Sequence, residues 1–205
     1  MEVLNLKPLK NKNLIAYIFA RENSSDLQKS DPVLLSNFLK NKNVNFVTVD
    51  FNLNIKEFSK TPFASVLDNL GIKYYQVDIP EYAMGYIYDE IQEKEKLLDT
   101  LTEEYRTLED RDSYKGLSLK NWIDLLNLEV QEKENFLSFK IRPMWIVKKM
   151  LDIARNFQTD EVHFVHFVQT DICEDICSQV VELLRKNKVK VIQYNKKHTI
   201  KNLIL

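Results

Sequence analysis

Five apolar, strand-like runs alternating with amphipathic helices predict an α/β protein: a Rossmann-like, mostly parallel sheet with helices on both faces. One long helical hairpin interrupts it. Three observations carry this reading. Leu14 to Ala20 is an unbroken apolar run of the kind required by strands buried on both faces. Each such run leads into a stretch of helical apolar spacing rather than a tight turn. Residues 81–140 hold two long helical patterns with no strand between them. The predicted organisation is a discontinuous sheet domain, residues 1–80 and 141–205, with residues 81–140 as an inserted arm.

Met1 to Lys10 lacks the apolar core of a signal peptide and reads as the start of a strand. After the Leu14 to Ala20 strand and a polar loop, Asp31 caps a helix with Pro32 at its first position. Val33, Leu34, Phe38 and Leu39 give that helix its apolar face. Val44 to Val49 is the second strand, ending in Asp50. A helix from about Thr61 puts Phe63, Val66, Leu67 and Leu70 inward and stops at Gly71. The third strand, Ile72 to Val77, ends in Asp78 and is closed by Pro80.

In the arm, Met84, Ile87, Ile91, Leu98, Leu101, Tyr105 and Leu108 follow a three-four alternation, with Lys94 in the one polar slot. Asp110 to Gly116 breaks the pattern. Ser118 then caps a second helix with Trp122, Ile123, Leu126, Val130 and Leu137 on its seam. After Pro143, Trp145, Ile146, Met150, Ile153, Ala154 and Phe157 recur at helical spacing. Val162 to Val168 is the fourth strand, Ile172 to Lys186 a helix, and Val189 to Tyr194 the fifth strand. Ile200 and Leu203 to Leu205 suggest a short edge element.

Charge and composition exclude several function classes. The net charge is −1, too near neutral for a nucleic-acid protein working by bulk electrostatics. The balance is uneven: the arm is acidic and the remainder basic. Three glycines, Gly71, Gly85 and Gly116, offer no phosphate-cradling loop, so no dinucleotide or P-loop cofactor is expected. No apolar run is long enough for a membrane span, and a cytoplasmic protein is the default. Cys173 and Cys177, four apart in one helix, suit reduced thiols rather than a disulfide.

In such sheets ligands collect beyond the carboxyl ends of the strands. Arg21, Glu22, Asp50, Asp78 and His166 stand there. Glu22, Asp50 and Asp78 are candidate ligands for Mg²⁺ or Mn²⁺, which prefer oxygen donors, and His166 is a candidate acid or base for metal-dependent hydrolysis. The competing reading takes these carboxylates as ordinary turn and cap residues. His163 and His166 point to opposite faces of one strand, so with Cys173 and Cys177 they make a poor zinc set. Arg142, Lys148, Lys149 and Arg155, with Trp145 nearby, form a basic set that could hold an anion or a nucleic acid. Arg21 joins Arg142, Lys148 and Lys149 as a candidate ligand-binding cation. His198 sits in a basic tail without a nameable partner.

The order of these features resembles the TraB/PrgY group, related to the erythromycin-esterase and ChaN-like fold. The matching pieces are Val49-Asp50, Val77-Asp78-Ile79, the residue 81–140 insertion, Ile141-Arg142-Pro143-Met144-Trp145-Ile146-Val147 and the strand with His166. The resemblance implies a metallohydrolase fold. The group's Gly-x-x-His is replaced here by Ala20-Arg21-Glu22-Asn23-Ser24, which implies a non-catalytic relative. The leading expectation is therefore a cytosolic binding or interaction module that forms a homo-oligomer, or meets a protein partner, through the arm. A divalent-metal hydrolase and a nucleic-acid binder are the alternatives.

Overall fold

A computed structural model of the chain describes residues 6–9, 11–21, 31–50, 59–169 and 174–194. It forms two compact units: Met1–Asp78 with Arg142–Leu205, and Ile79–Ile141.

The first unit is built on five parallel strands: β1 (Asn13–Arg21), β2 (Val44–Val49), β3 (Lys73–Gln76), β4 (Glu161–Gln169) and β5 (Lys190–Tyr194). Their order is β3-β2-β4-β1-β5. The two longest strands, β1 and β4, lie side by side near the centre, in register from Asn13 opposite Glu161 to Arg21 opposite Gln169. Both are apolar on alternate and intervening positions because both of their faces are covered.

Helices α1 (Pro32–Asn41) and α2 (Pro62–Asn69) cover one face. Leu35, Phe38 and Leu39 of α1 and Phe63, Ala64, Val66 and Leu67 of α2 pack there on Tyr17, Phe19, Val47, Val49, Val165 and Phe167. Both helix starts are chemically specified. Asp31 Oδ1 accepts from Val33 N at 2.9 Å, and Thr61 Oγ1 accepts from Ala64 N at 3.2 Å, each ahead of a proline at the first turn. Gly71 ends α2 at φ +66, a conformation that costs a side chain but not glycine. Val33, expected inward, is exposed, and Leu35 fills the core in its place. The helix starts where the sequence places it; Leu35, Phe38 and Leu39 share one face by i, i+3, i+4 spacing, and Val33, about 160° from Leu35 at 100° per residue, falls on the solvent side of the first turn.

The opposite face presents Ala16, Ile18, Phe46, Thr48, Phe164 and His166, all buried. Helices α5 (Arg142–Arg155) and α6 (Glu174–Lys186) pack against each other, and Phe157, just beyond α5, stacks on Phe46 at 5.4 Å. Pro143, Ile146, Val147, Met150, Leu151 and Ala154 are the buried positions of α5, the i, i+3, i+4 set of one helical face.

The second unit contains α3 (Glu81–Thr107) and α4 (Tyr114–Phe136), followed by a π-helical turn, Leu137–Ile141. The two long helices pair antiparallel: Lys133 meets Glu90, Lys94 meets Glu129, and Lys115 meets Glu104 at 2.7 Å. Ile91 and Leu101 of α3 and Leu119 of α4 are buried between the charged rows. Ser113, not Ser118, caps α4, accepting from Gly116 N at 3.2 Å. The correction has a steric reason. A Cβ on Gly116 would stand 2.2 Å from the Arg111 carbonyl oxygen, so the connection folds tightly over the first turn and the helix must begin before it.

Candidate functional site

Two places in the molecule concentrate chemistry that the fold does not need everywhere else. The first is the carboxyl edge of the sheet. The chain leaves β2 toward α2 on one face and leaves the neighbouring β4 toward α6 on the other, which makes the β2–β4 edge a switch point. Asp50 stands there, 1 % exposed, its backbone N donating to the Phe167 carbonyl at 3.4 Å.

Arg142, the first residue of α5, reaches into this edge. Its Nε donates to Asp78 Oδ1 at 2.9 Å and its Nη2 to Asp78 Oδ2 at 2.8 Å. The same Nη2 also donates to the Asp50 carbonyl at 3.1 Å. A guanidinium fork matched to a carboxylate is the strong form of ion pair. It ties the ends of β2 and β3 to the start of α5.

The residues singled out as metal ligands are thus differently placed. Asp78 is clasped by Arg142, and Asp50 is buried beside Cys177, whose thiol is pushed up to about 11 by burial first and by the Asp50 charge second. Glu22 lies outside the described residues, as do Asp171, Cys173, His198, the Ile200 to Leu205 tail and most of Met1 to Lys10; Arg21 ends β1, and its side chain is likewise outside them. Among the described residues, no group of three or more His, Cys, Asp and Glu is arranged to hold a metal ion.

His166 is fully buried on β4. The β2–β4 register sets Thr48 opposite it, and Thr48 Oγ1 lies 3.0 Å from His166 Nδ1 and donates to the Val165 carbonyl at 3.2 Å. Burial pulls the imidazole down to about 3, so the ring is neutral at ordinary pH. His163 faces the other way, as the strand period dictates. Its Nε2 lies 2.6 Å from Glu161 Oε1 and its Nδ1 3.3 Å from the Tyr17 hydroxyl.

The basic set divides in three. Arg142 serves Asp78. Lys148 and Arg155 both donate to Asp152, each at 2.8 Å, at a shallow cavity also lined by Leu6, Lys7 and Leu151. Burial raises the Asp152 carboxyl, but the Lys148 contact with the help of Arg155 outweighs it and holds the group below its ordinary value. Lys149 lies over the Trp145 ring, 5.0 Å from its centroid.

The second place is in the inserted unit and was not singled out in the sequence. Tyr114, Leu117, Trp122, Leu125, Leu128 and Phe136 of α4 are exposed, from 40 % at Phe136 to 89 % at Tyr114. At 100° per residue they fall within one arc of roughly 140°. The stripe toward α3 is a different one, made by Leu119, Ile123, Leu126 and Val130, and centred roughly 140° away. Trp122, expected on the inward seam, belongs to the outward stripe. A helix apolar on two sides shows a weak amphipathic period, and that weakness was the available signal.

Compared with protein-family models, curated proteins and solved structures, the chain gives no match.

Proposed function

We propose that this chain is a cytosolic, non-catalytic interaction module that docks a protein partner through the outward stripe of α4. One observation carries the reading: six large apolar side chains exposed along a single arc of one helix. Scattered apolar residues are normal on a protein surface, but six large ones sharing one arc of a single helix, with Ser118, Asn121, Glu129 and Glu132 interleaved among them, mark a docking face. Trp and Tyr within it are the residue types that dominate interface energetics.

Arg142 neutralises Asp78 and caps the Asp50 carbonyl, an arrangement that stabilises the root of the insertion. No helix among the described residues is long and apolar enough to cross a membrane.

The test is a photoreactive residue placed at Leu125 in the full chain, with the same residue at Lys120 on the charged side as control. Irradiation in the producing cell is expected to yield protein adducts at Leu125 and none at Lys120. No adduct at Leu125 contradicts the proposal.

A further inference from the structure

The outward stripe of α4 is close to a palindrome. Leu125 stands at its centre, with Trp122 and Leu128 three residues to either side and Tyr114 and Phe136 eleven residues to either side. Three residues is just under one helical turn and eleven is three turns of 3.67, so all five positions return to one face. Leu117 is the one member whose mirror position, Lys133, is not apolar. Lys133 is held by Glu90 across the α3–α4 pair.

We infer that the partner is a second copy of this chain, and that two α4 helices pack antiparallel about a two-fold axis through Leu125. This rests on the docking reading above and names its partner. In an isologous contact, residue i meets residue j and j meets i. About that axis Trp122 of one copy meets Leu128 of the other, Tyr114 meets Phe136, and Leu125 meets itself. Each pair joins large apolar groups.

Charge and area agree with a like partner. The acidity of the insertion is carried by α3, where eight acidic residues face three basic ones, and by the connection after it. Helix α4 itself has Asp124, Glu129, Glu132 and Glu134 against Lys115, Lys120 and Lys133. Its net charge is −1, so two copies meet without the repulsion two α3 helices would incur. The six stripe residues, each at least 40 % exposed, offer surface of the order of the roughly 800 Å² each partner contributes to a standard interface. An anionic membrane is the poorer match. A surface-bound helix needs a basic rim, and this unit is acidic.

The experiment is light scattering of the full chain across a wide concentration range, joined to directed cross-linking. Cysteine is placed at Leu125, Trp122 or Leu128 in a Cys173→Ser, Cys177→Ala background. The inference predicts twice the chain mass at high concentration for the natural chain and a covalent dimer from Leu125→Cys. Mixing Trp122→Cys with Leu128→Cys then yields more dimer than either alone. A natural chain that stays monomeric at every concentration overturns the inference even if the cysteine background fails to fold. So does the opposite pattern, in which Trp122→Cys and Leu128→Cys each link to themselves, because that is parallel pairing. Photo-adducts at Leu125 that contain only other proteins overturn the second copy while leaving the docking reading standing; no adduct of any kind, with a monomeric chain, removes both.

Discussion

Arg142 closes on Asp78 through two parallel hydrogen bonds, Nε to Oδ1 at 2.9 Å and Nη2 to Oδ2 at 2.8 Å. The two residues are the last and first of the sheet unit on either side of the insertion. The pair therefore fastens the point where the chain leaves the sheet to the point where it returns. Both side chains are about three-quarters covered, so solvent screens the pair only in part.

Breaking that fork has a defined cost. Arg142→Met and Asp78→Asn are each expected to lower stability by about 2 kcal/mol, the range for hydrogen bonds to charged groups. Urea unfolding of both variants and of the double variant checks this. The pair accounts for the effect if the double variant loses clearly less than the two single losses combined.

The buried histidine makes the fold acid-sensitive. His166 has its pKa lowered to about 3 in the native chain, against 6.5 when exposed. Between those values the unfolded chain binds the extra proton and the native one does not. Stability is then fully present above pH 6.5 and falls as pH drops toward 3, by up to about 1.4 kcal/mol per unit. Thermal melts across that window for the natural chain and for His166→Leu measure the difference. The variant is expected to show the shallower slope.

Two of the glycines respond in opposite directions. Gly116→Ala drives a Cβ into the Arg111 carbonyl at 2.2 Å and is expected to cost about 1–3 kcal/mol, as overpacking does. Gly85 lies within α3 and an added Cβ meets nothing within 4 Å. Gly85→Ala should stabilise the chain by about 0.5–1 kcal/mol, the helix penalty of glycine removed. Equilibrium unfolding followed by helical circular dichroism separates the two.

Cys177 is buried and its pKa is raised to about 11, so almost none is thiolate near neutrality. In a Cys173→Ser chain, iodoacetamide is expected to label Cys177 only as fast as the protein opens. Labelling at the rate of a free thiol would contradict the burial.

Much of the fold was legible because its signals are local. Leu14 to Ala20 reads as a doubly buried strand from its own composition, and Asp31-Pro32 and Thr61-Pro62 announce their helices. The seam of α3, Ile91 and Leu101 included, follows from its spacing alone. What was not legible depends on partners far away in the chain. Arg142 read as a free cation because Asp78 is 64 residues distant. His166 read as a strand-end group, yet the β2–β4 register sets Thr48 beside it and seals it in. Trp122 was assigned inward because an apolar residue at helical spacing is normally core. Only the position of α3 distinguishes the two apolar stripes of α4.

The central claim is that the outward stripe of α4 joins two copies of the chain. Sedimentation of the natural chain beside Leu125→Asp tests it most directly, because Leu125 points away from α3 and its replacement leaves the α3–α4 pairing intact. The account predicts a concentration-dependent dimer for the natural chain and a monomer with unchanged helical content for Leu125→Asp. A natural chain that sediments as a monomer throughout, or a Leu125→Asp variant that dimerises as well as the natural chain, would contradict it.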